Sequence, residues 1–124
     1  MIAFFPGKFQ PPHLGHAISI MSICDQYDKV IVAVTDDNPK ILTLNKRVDI
    51  FSKVFRLIKN VDIIKLNGII ITQLKDGKDL PTFDICISGN EEVLKKMGDL
   101  GYRTKFLDRS DGIGFSSTEI RNLF

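Results

Sequence analysis

The chain has 124 residues, of which 44% are hydrophobic and 26% charged, and its net charge is +2. This composition excludes a disordered chain, and no apolar run approaches the ~18 residues of a membrane span. Basic and acidic residues are interleaved, which argues against nucleic acid as a partner and favours a small anion held locally. We therefore expect one cytoplasmic domain over residues 1–124, with Cys24 and Cys86 as buried thiols.

Strand and helix patterns alternate along the chain. The apolar run at 2–5 predicts a first strand that ends at Pro6-Gly7, and helical apolar spacing from Leu14 predicts a helix to about Gln26. Further strands are predicted at 30–34, 61–66, 83–87 and 102–107, and further helices across 48–58, at 91–100 up to Gly101, and from Ser116, whereas 68–82 is left open between a strand and a short helix.

This alternation predicts an α/β fold, a single Rossmann-like, doubly wound parallel sheet with helices on both faces. Ligands of such sheets bind outside the carboxyl ends of the strands, where the strand order reverses. The polar loops at 6–13, 35–43, 88–90 and 108–115 each follow a predicted strand. We therefore expect these loops to share one rim of the sheet.

The stretch from Gly7 to His16 carries the strongest functional signal. His13 and His16 lie three residues apart at a helix start, and Gly15 between them allows a close approach to the backbone. Free amides and the helix dipole favour an anion there, so a phosphate is the expected ligand. Two other interpretations stay open: the histidines are helix caps, or they hold a metal whose remaining ligands come from elsewhere. The dinucleotide-binding fingerprint and the Walker phosphate loop are both absent from the sequence.

Residues 7–16, Gly-Lys-Phe-Gln-Pro-Pro-His-Leu-Gly-His, resemble the G-x-F-x-P-x-H-x-G-H form of a motif of the nucleotidyltransferase superfamily. That superfamily includes cytidylyltransferases, nicotinamide-mononucleotide (NMN) adenylyltransferases and phosphopantetheine adenylyltransferases. Residues 116–121, Ser-Ser-Thr-Glu-Ile-Arg, resemble its second signature, I-S-[ST]-T-x-I-R. The two motifs occur in the family's order, near opposite ends of the chain.

The resemblance implies that an acceptor phosphate attacks the α-phosphorus of a nucleoside triphosphate and that pyrophosphate leaves, with Mg²⁺ as cofactor. No protein side chain is assigned as a metal ligand. The resemblance assigns catalytic roles to Lys8, His13, His16 and Arg121, nucleotide contacts to Phe9, Gly15, Arg109, Ser116, Ser117 and Thr118, and acceptor contacts to Lys40, Lys46 and Arg47. Solvated surface charge is the alternative interpretation of these last three residues.

The base and the acceptor are less strongly indicated. The compact chain resembles glycerol-3-phosphate cytidylyltransferases, although Gly114-Phe115 are extra residues between Arg109 and the second motif. Gln10-Pro11 instead resembles archaeal NMN adenylyltransferases. We expect CTP as donor with ATP as the alternative, base contacts near Ser88 and Gly89, a small phosphorylated acceptor and a homodimer. A non-catalytic nucleotide-binding module, or an unrelated doubly wound domain, is the competing hypothesis.

Overall fold

The structure, a computed structural model, describes residues 1–9, 14–35 and 43–107. Within these ranges, parallel strands form one sheet in the order β3-β2-β1-β4-β5. The strands are β1 (Ile2–Gly7), β2 (Lys29–Thr35), β3 (Val61–Leu66), β4 (Ile85–Ser88) and β5 (Arg103–Phe106), and the helices are α1 (Leu14–Cys24), α2 (Leu44–Val54) and α3 (Glu91–Asp99), with a 3₁₀ turn at Ile71–Gln73. The predicted α/β class is confirmed.

The two central strands are buried on both faces because their side chains alternate between two cores. In β1, Phe5 packs with α1 and α2 on one face, whereas Phe4 packs with α3 and the 3₁₀ turn on the other. The first core is centred on Ile20 and Phe51, and Met97 fills the second. Helices therefore cover both faces of the sheet, as the sequence predicts.

The direction of chain progression across the sheet reverses beside β1. From β1 the chain passes through α1 to β2 and through α2 to β3, moving towards one edge. It then returns to β4 on the other side of β1 and continues through α3 to β5. The carboxyl ends of β1 and β4 are therefore the expected position of a ligand site in this fold.

Several predicted boundaries differ from the structure, most clearly those of β1, β4 and α2. Strand β1 continues through Pro6-Gly7, because β1 pairs with β4 only at Ala3 and Phe4, so proline interrupts no bond of that ladder. Strand β4 begins at Ile85 rather than at residue 83, since the Asp84 carboxylate accepts the Ile2 amide at 2.6 Å. Helix α2 ends at Val54, four residues before the predicted end.

Other predicted elements agree more closely. Strand β3 has the predicted bounds, and α3 ends just before Gly101, whose φ of 95° favours glycine. The strand predicted at 102–107 is shorter by one residue at each end, and α1 ends at Cys24 rather than near Gln26. The predicted helix from Ser116 lies outside the described residues.

Two further expectations concern thiols and membranes. Cys86 is a buried free thiol, as predicted, and Cys24 is a partly buried one. Burial raises the pKa of Cys86 to about 12, because a thiolate loses its hydration there. Among the helices of 1–9, 14–35 and 43–107, none has the length and apolar character needed to span a bilayer.

Candidate active site at the carboxyl ends of β1 and β2

Three polar segments meet the same edge of the sheet because all of the described strands are parallel. Gly7 ends β1, Thr35 ends the neighbouring β2, and Ser88 ends β4 on the other side of β1. The Thr35 hydroxyl donates to the Gly7 carbonyl at 3.3 Å and so joins the ends of two strands. The sequence does not indicate a role for Thr35, which appears there only as the first residue of a polar loop.

The helices that follow these strands begin with different charges. The first turns of α1 and α2 contain no acidic residue, whereas α3 begins with Glu91 and Glu92. A helix N-terminus carries partial positive charge, which the two carboxylates of α3 already compensate. An anion is therefore favoured at α1 and α2, which follow the adjacent strands β1 and β2.

Phe9, two residues after the end of β1, places its ring in the core. This residue has a φ of 51°, a left-handed conformation that costs a non-glycine residue energy, and its side chain is 4% exposed. The ring packs edge-to-face on Phe51, with 4.7 Å between centroids, and lies nearly parallel to Phe5 at 6.1 Å. Phe9 therefore belongs to the core, and its nucleotide contact can come from its backbone but not from its ring.

Gly7 leaves the space that the Phe9 ring occupies. A Cβ atom added to Gly7 would lie 2.6 Å from the Phe9 Cζ, well inside van der Waals contact. The first glycine of the motif therefore has a packing reason that is visible in the structure.

His16 lies in the first turn of α1 and is 8% exposed. Its imidazole meets the Phe9 ring edge-to-face, with 4.9 Å between centroids and an interplanar angle of 82°. Phe51 lies beyond, at 6.3 Å and 70°. These aromatic contacts hold the orientation of the imidazole. Nothing in the sequence indicates that Phe51 is a neighbour of His16, since the spacing of Phe51 indicates only a core position on α2.

Arg47 is fully buried, in contrast to the surface charge that its sequence context suggests. Its Nη1 donates to the Lys8 carbonyl at 2.5 Å and to the Thr35 carbonyl at 3.0 Å. Thr43 caps α2 by accepting the Lys46 amide on its hydroxyl, at 3.2 Å. This cap fixes where α2 begins, so that Arg47 turns inward and Lys46 outward.

The remaining described candidates differ in exposure. Lys8 and Lys46 are exposed, at the end of β1 and the start of α2, and Gly15 is buried in α1. The side chains of Lys8 and Lys46 are therefore open to solvent, while Gly15 is not.

Ser88 and Gly89 lie at the end of β4, where the hydroxyl and the carbonyl of Ser88 already accept hydrogen bonds from the protein. The Ser88 hydroxyl accepts the Asn90 amide at 3.0 Å, and the Ser88 carbonyl accepts the Leu107 amide at 3.0 Å. Asn90 in turn caps α3 by accepting the Glu92 amide at 2.9 Å. With two carboxylates following it, this segment suits an uncharged group such as a base better than a phosphate.

Seven candidates lie outside the described residues: His13, Lys40, Arg109, Ser116, Ser117, Thr118 and Arg121. The part of the chain that the structure describes brings Lys8, Phe9, His16 and Arg47 together. Within that part, no group of three or more His, Cys, Asp or Glu side chains could hold a metal ion.

The chain is similar to adenylyltransferases over nearly its whole length. It is 31% identical to the nicotinamide-nucleotide adenylyltransferase of Sulfurisphaera tokodaii, covering 99% of this chain and 78% of that protein. It is 28% identical to the phosphopantetheine adenylyltransferase of Nautilia profundicola, covering 98% and 79%.

A solved structure shares the fold. The bifunctional NMN adenylyltransferase/ADP ribose pyrophosphatase of Francisella tularensis, in complex with AMP and a manganese ion, matches with a TM-score of 0.66 at 18% identity. The match covers 98% of this chain and 40% of that one. A profile of the cytidylyltransferase-like family matches residues 4–123. With its fold and nearly its whole length matched, the chain belongs to the cytidylyltransferase-like family of the nucleotidyltransferase superfamily.

Proposed function

We propose that the protein is an adenylyltransferase, which transfers the adenylyl group of ATP to the phosphate of a small acceptor and releases pyrophosphate. The observation that carries this proposal is the pair of helix N-termini without acidic residues, at α1 and α2, beside the buried His16 and the exposed Lys8. This arrangement favours the polyanionic part of a nucleotide at the end of β1.

In this proposal, catalysis consists of positioning and charge stabilisation. The acceptor oxygen forms a bond to the α-phosphorus while the bond to the bridging oxygen of pyrophosphate breaks, so no covalent enzyme intermediate is needed. The His16 imidazole donates to an oxygen of the five-coordinate phosphorus, and the Lys8 ammonium offsets its charge. His13, with Ser116, Ser117, Thr118 and Arg121 of the second motif, would complete the contacts to the triphosphate.

The acceptor and base would lie on either side of these phosphates. Lys40 and Lys46 are the proposed contacts of the acceptor phosphate, since Lys46 is exposed at the start of α2. Arg109 is proposed to contact the nucleotide, and the backbone at Ser88 and Gly89 is proposed to contact the base. Mg²⁺ is proposed to enter with the triphosphate, whose oxygens hold it and whose charge it reduces.

ATP replaces CTP as the proposed donor. The expectation of CTP depends on the compact length of the chain, whereas two relatives that match nearly the whole chain are both named adenylyltransferases. NMN is the first candidate acceptor, because a relative that is 31% identical over 99% of this chain is named a nicotinamide-nucleotide adenylyltransferase. Phosphopantetheine is the second, because a relative of similar coverage carries that name.

Pyrophosphate release tests the proposal directly. Four nucleoside triphosphates are combined with NMN, phosphopantetheine or glycerol 3-phosphate in the presence of Mg²⁺, and the products are identified by mass spectrometry. We expect turnover with ATP and with NMN or phosphopantetheine. Turnover with CTP and glycerol 3-phosphate would restore the first expectation. Tight nucleotide binding without pyrophosphate release from any pair would instead support a non-catalytic module.

A further inference from the structure

We propose that Arg47 is a positioning residue, which orients the His16 imidazole through the backbone of Lys8 and the ring of Phe9. The expected effect on turnover rests on the proposed function, because it requires an active enzyme. The orientation of His16 by Arg47 is expected in the ligand-free protein as well, whatever the function. It differs from the expectation that Arg47 contacts the acceptor, because here the guanidinium acts on the protein's own backbone.

Arg47 joins α2 to the ends of two strands. A single nitrogen of Arg47 donates to the carbonyl oxygens of Lys8 and Thr35, which lie at the ends of the neighbouring strands β1 and β2. A fully buried guanidinium is stable only when such polar partners replace water. Arg47 therefore holds the Lys8 carbonyl, just after β1, at a fixed position relative to the end of β2.

The peptide group between Lys8 and Phe9 connects this hydrogen bond to the backbone of Phe9. The Lys8 carbonyl and the Phe9 nitrogen belong to one planar peptide group, so a hydrogen bond to that carbonyl also fixes the direction of the N–Cα bond of Phe9. Phe9 has a φ of 51°, which persists only where the surroundings constrain it. Without the Arg47 bond, this peptide group could rotate and release the unfavourable φ.

The ring of Phe9 connects its backbone to the His16 imidazole. The Phe9 ring lies edge-to-face against both the imidazole and Phe51, with centroid distances of 4.9 and 4.7 Å. A shift of the Phe9 backbone moves the ring and removes the surface against which His16 is packed. In catalysis by positioning, a displacement of about 1 Å lowers the rate by about a hundredfold.

The test compares Arg47→Lys with Arg56→Lys, the same change at an exposed arginine beyond the end of α2. Lysine keeps the charge but lacks the planar, multi-donor group. In the ligand-free protein, NMR measures the His16 ring-proton shifts and the nuclear Overhauser effects between His16 and Phe9. We expect Arg47→Lys to lose these effects and to move the shifts towards those of an exposed histidine, and Arg56→Lys to leave both unchanged.

Kinetics with ATP and the best acceptor provide the second readout. We expect Arg47→Lys to lower kcat tenfold or more, with KM values changed less than threefold. Unaltered NMR spectra with a tenfold higher KM would overturn the proposal in favour of a direct substrate contact, and unaltered spectra with unaltered kinetics would overturn it entirely. If the wild-type protein turns over no substrate, the proposed function fails, and the NMR comparison alone still decides the positioning role.

A second variant covers the case in which Arg47→Lys does not fold. Arg47→Gln removes the charge and keeps an uncharged amide donor, and its circular dichroism is compared with that of the wild type. A folded Arg47→Gln without the His16–Phe9 effects would support the proposal. Loss of the fold in both variants would overturn it, since Arg47 would then serve the fold as a whole.

Discussion

Replacing Gly7 by alanine tests how the Phe9 ring is held. The added Cβ would lie 2.6, 2.9 and 3.0 Å from three atoms of that ring, where ordinary contact begins at 3.4 Å. The ring cannot retreat freely, because His16 and Phe51 lie edge-on against it and Phe5 lies beside it. Overpacking of this kind costs about 1–3 kcal/mol, and the lower entropy of the unfolded alanine chain offsets about 0.4–1 kcal/mol.

We expect Gly7→Ala to lower the free energy of unfolding by about 1–2 kcal/mol, or Tm by about 4–8 °C for a domain of this size. Urea denaturation followed by circular dichroism measures the first quantity. Gly98→Ala is the matched control, because Gly98 lies within α3 and an added Cβ there meets nothing within 4 Å. That variant should be more stable than the wild type, by about 0.5–1 kcal/mol.

A double-mutant cycle with Phe9→Leu identifies the cause. Leucine lacks the outer ring atoms that the new Cβ would meet, so Gly7→Ala should cost little or nothing in the Phe9→Leu background. The expected coupling is about 1–2 kcal/mol. If Gly7→Ala destabilises both backgrounds equally, or stabilises the wild type, the packing explanation of Gly7 is wrong.

Three further predictions concern single side chains. His16→Gln should lower kcat by about 10²–10³ while changing the Kd for ATP much less, and equal losses in both would show that His16 acts only in binding. The pKa of Cys86 is raised by burial from 9.0 to about 12, so the stability due to the buried neutral thiol is complete below pH 9.0 and is lost as the pH rises towards 12. Between pH 7 and pH 10, urea denaturation should therefore show the wild type losing about 1.4 kcal/mol more than Cys86→Ala, and an equal loss in both would refute this. The Asn60 amide donates to the carbonyls of Cys24 and Tyr27, so Asn60→Ala should cost about 1–2 kcal/mol in urea denaturation. The exposed Asn67→Ala is its control, and equal effects would refute a role for these bonds.

The strands of the central sheet were predictable because burial on both faces leaves a continuous apolar run. The run at β2 has this form, and its predicted position agrees with the structure to within one residue. The edge strand β3 also has the predicted bounds, although the exposed Asp62 and Lys65 interrupt its apolar residues. Pro6-Gly7 predicts the end of β1 too early, because the strand includes both residues. Whether proline ends a strand depends on which neighbour pairs with it, and that is a property of the sheet and not of the local sequence.

The site was predictable as far as its motif residues, because they lie close together in the sequence. Its support was not predictable in the same way. Arg47 lies 39 residues from Lys8, and Phe51 lies 35 residues from His16, so only the packing of α2 brings them to the loop. A charged residue that directly follows Asn45 and Lys46 suggests a surface position, and the two backbone carbonyls that accept from Arg47 in the interior carry no sequence signal.

The central claim is that the site directs an acceptor phosphate to the α-phosphorus of ATP. The most direct measurement follows radioactive phosphorus from ATP labelled at either the α or the γ position, with NMN or phosphopantetheine as acceptor. We expect the α label to appear in the adenylylated acceptor and the γ label in pyrophosphate. Transfer of the γ label to the acceptor, its release as inorganic phosphate, or the absence of any labelled product with either acceptor would contradict the claim.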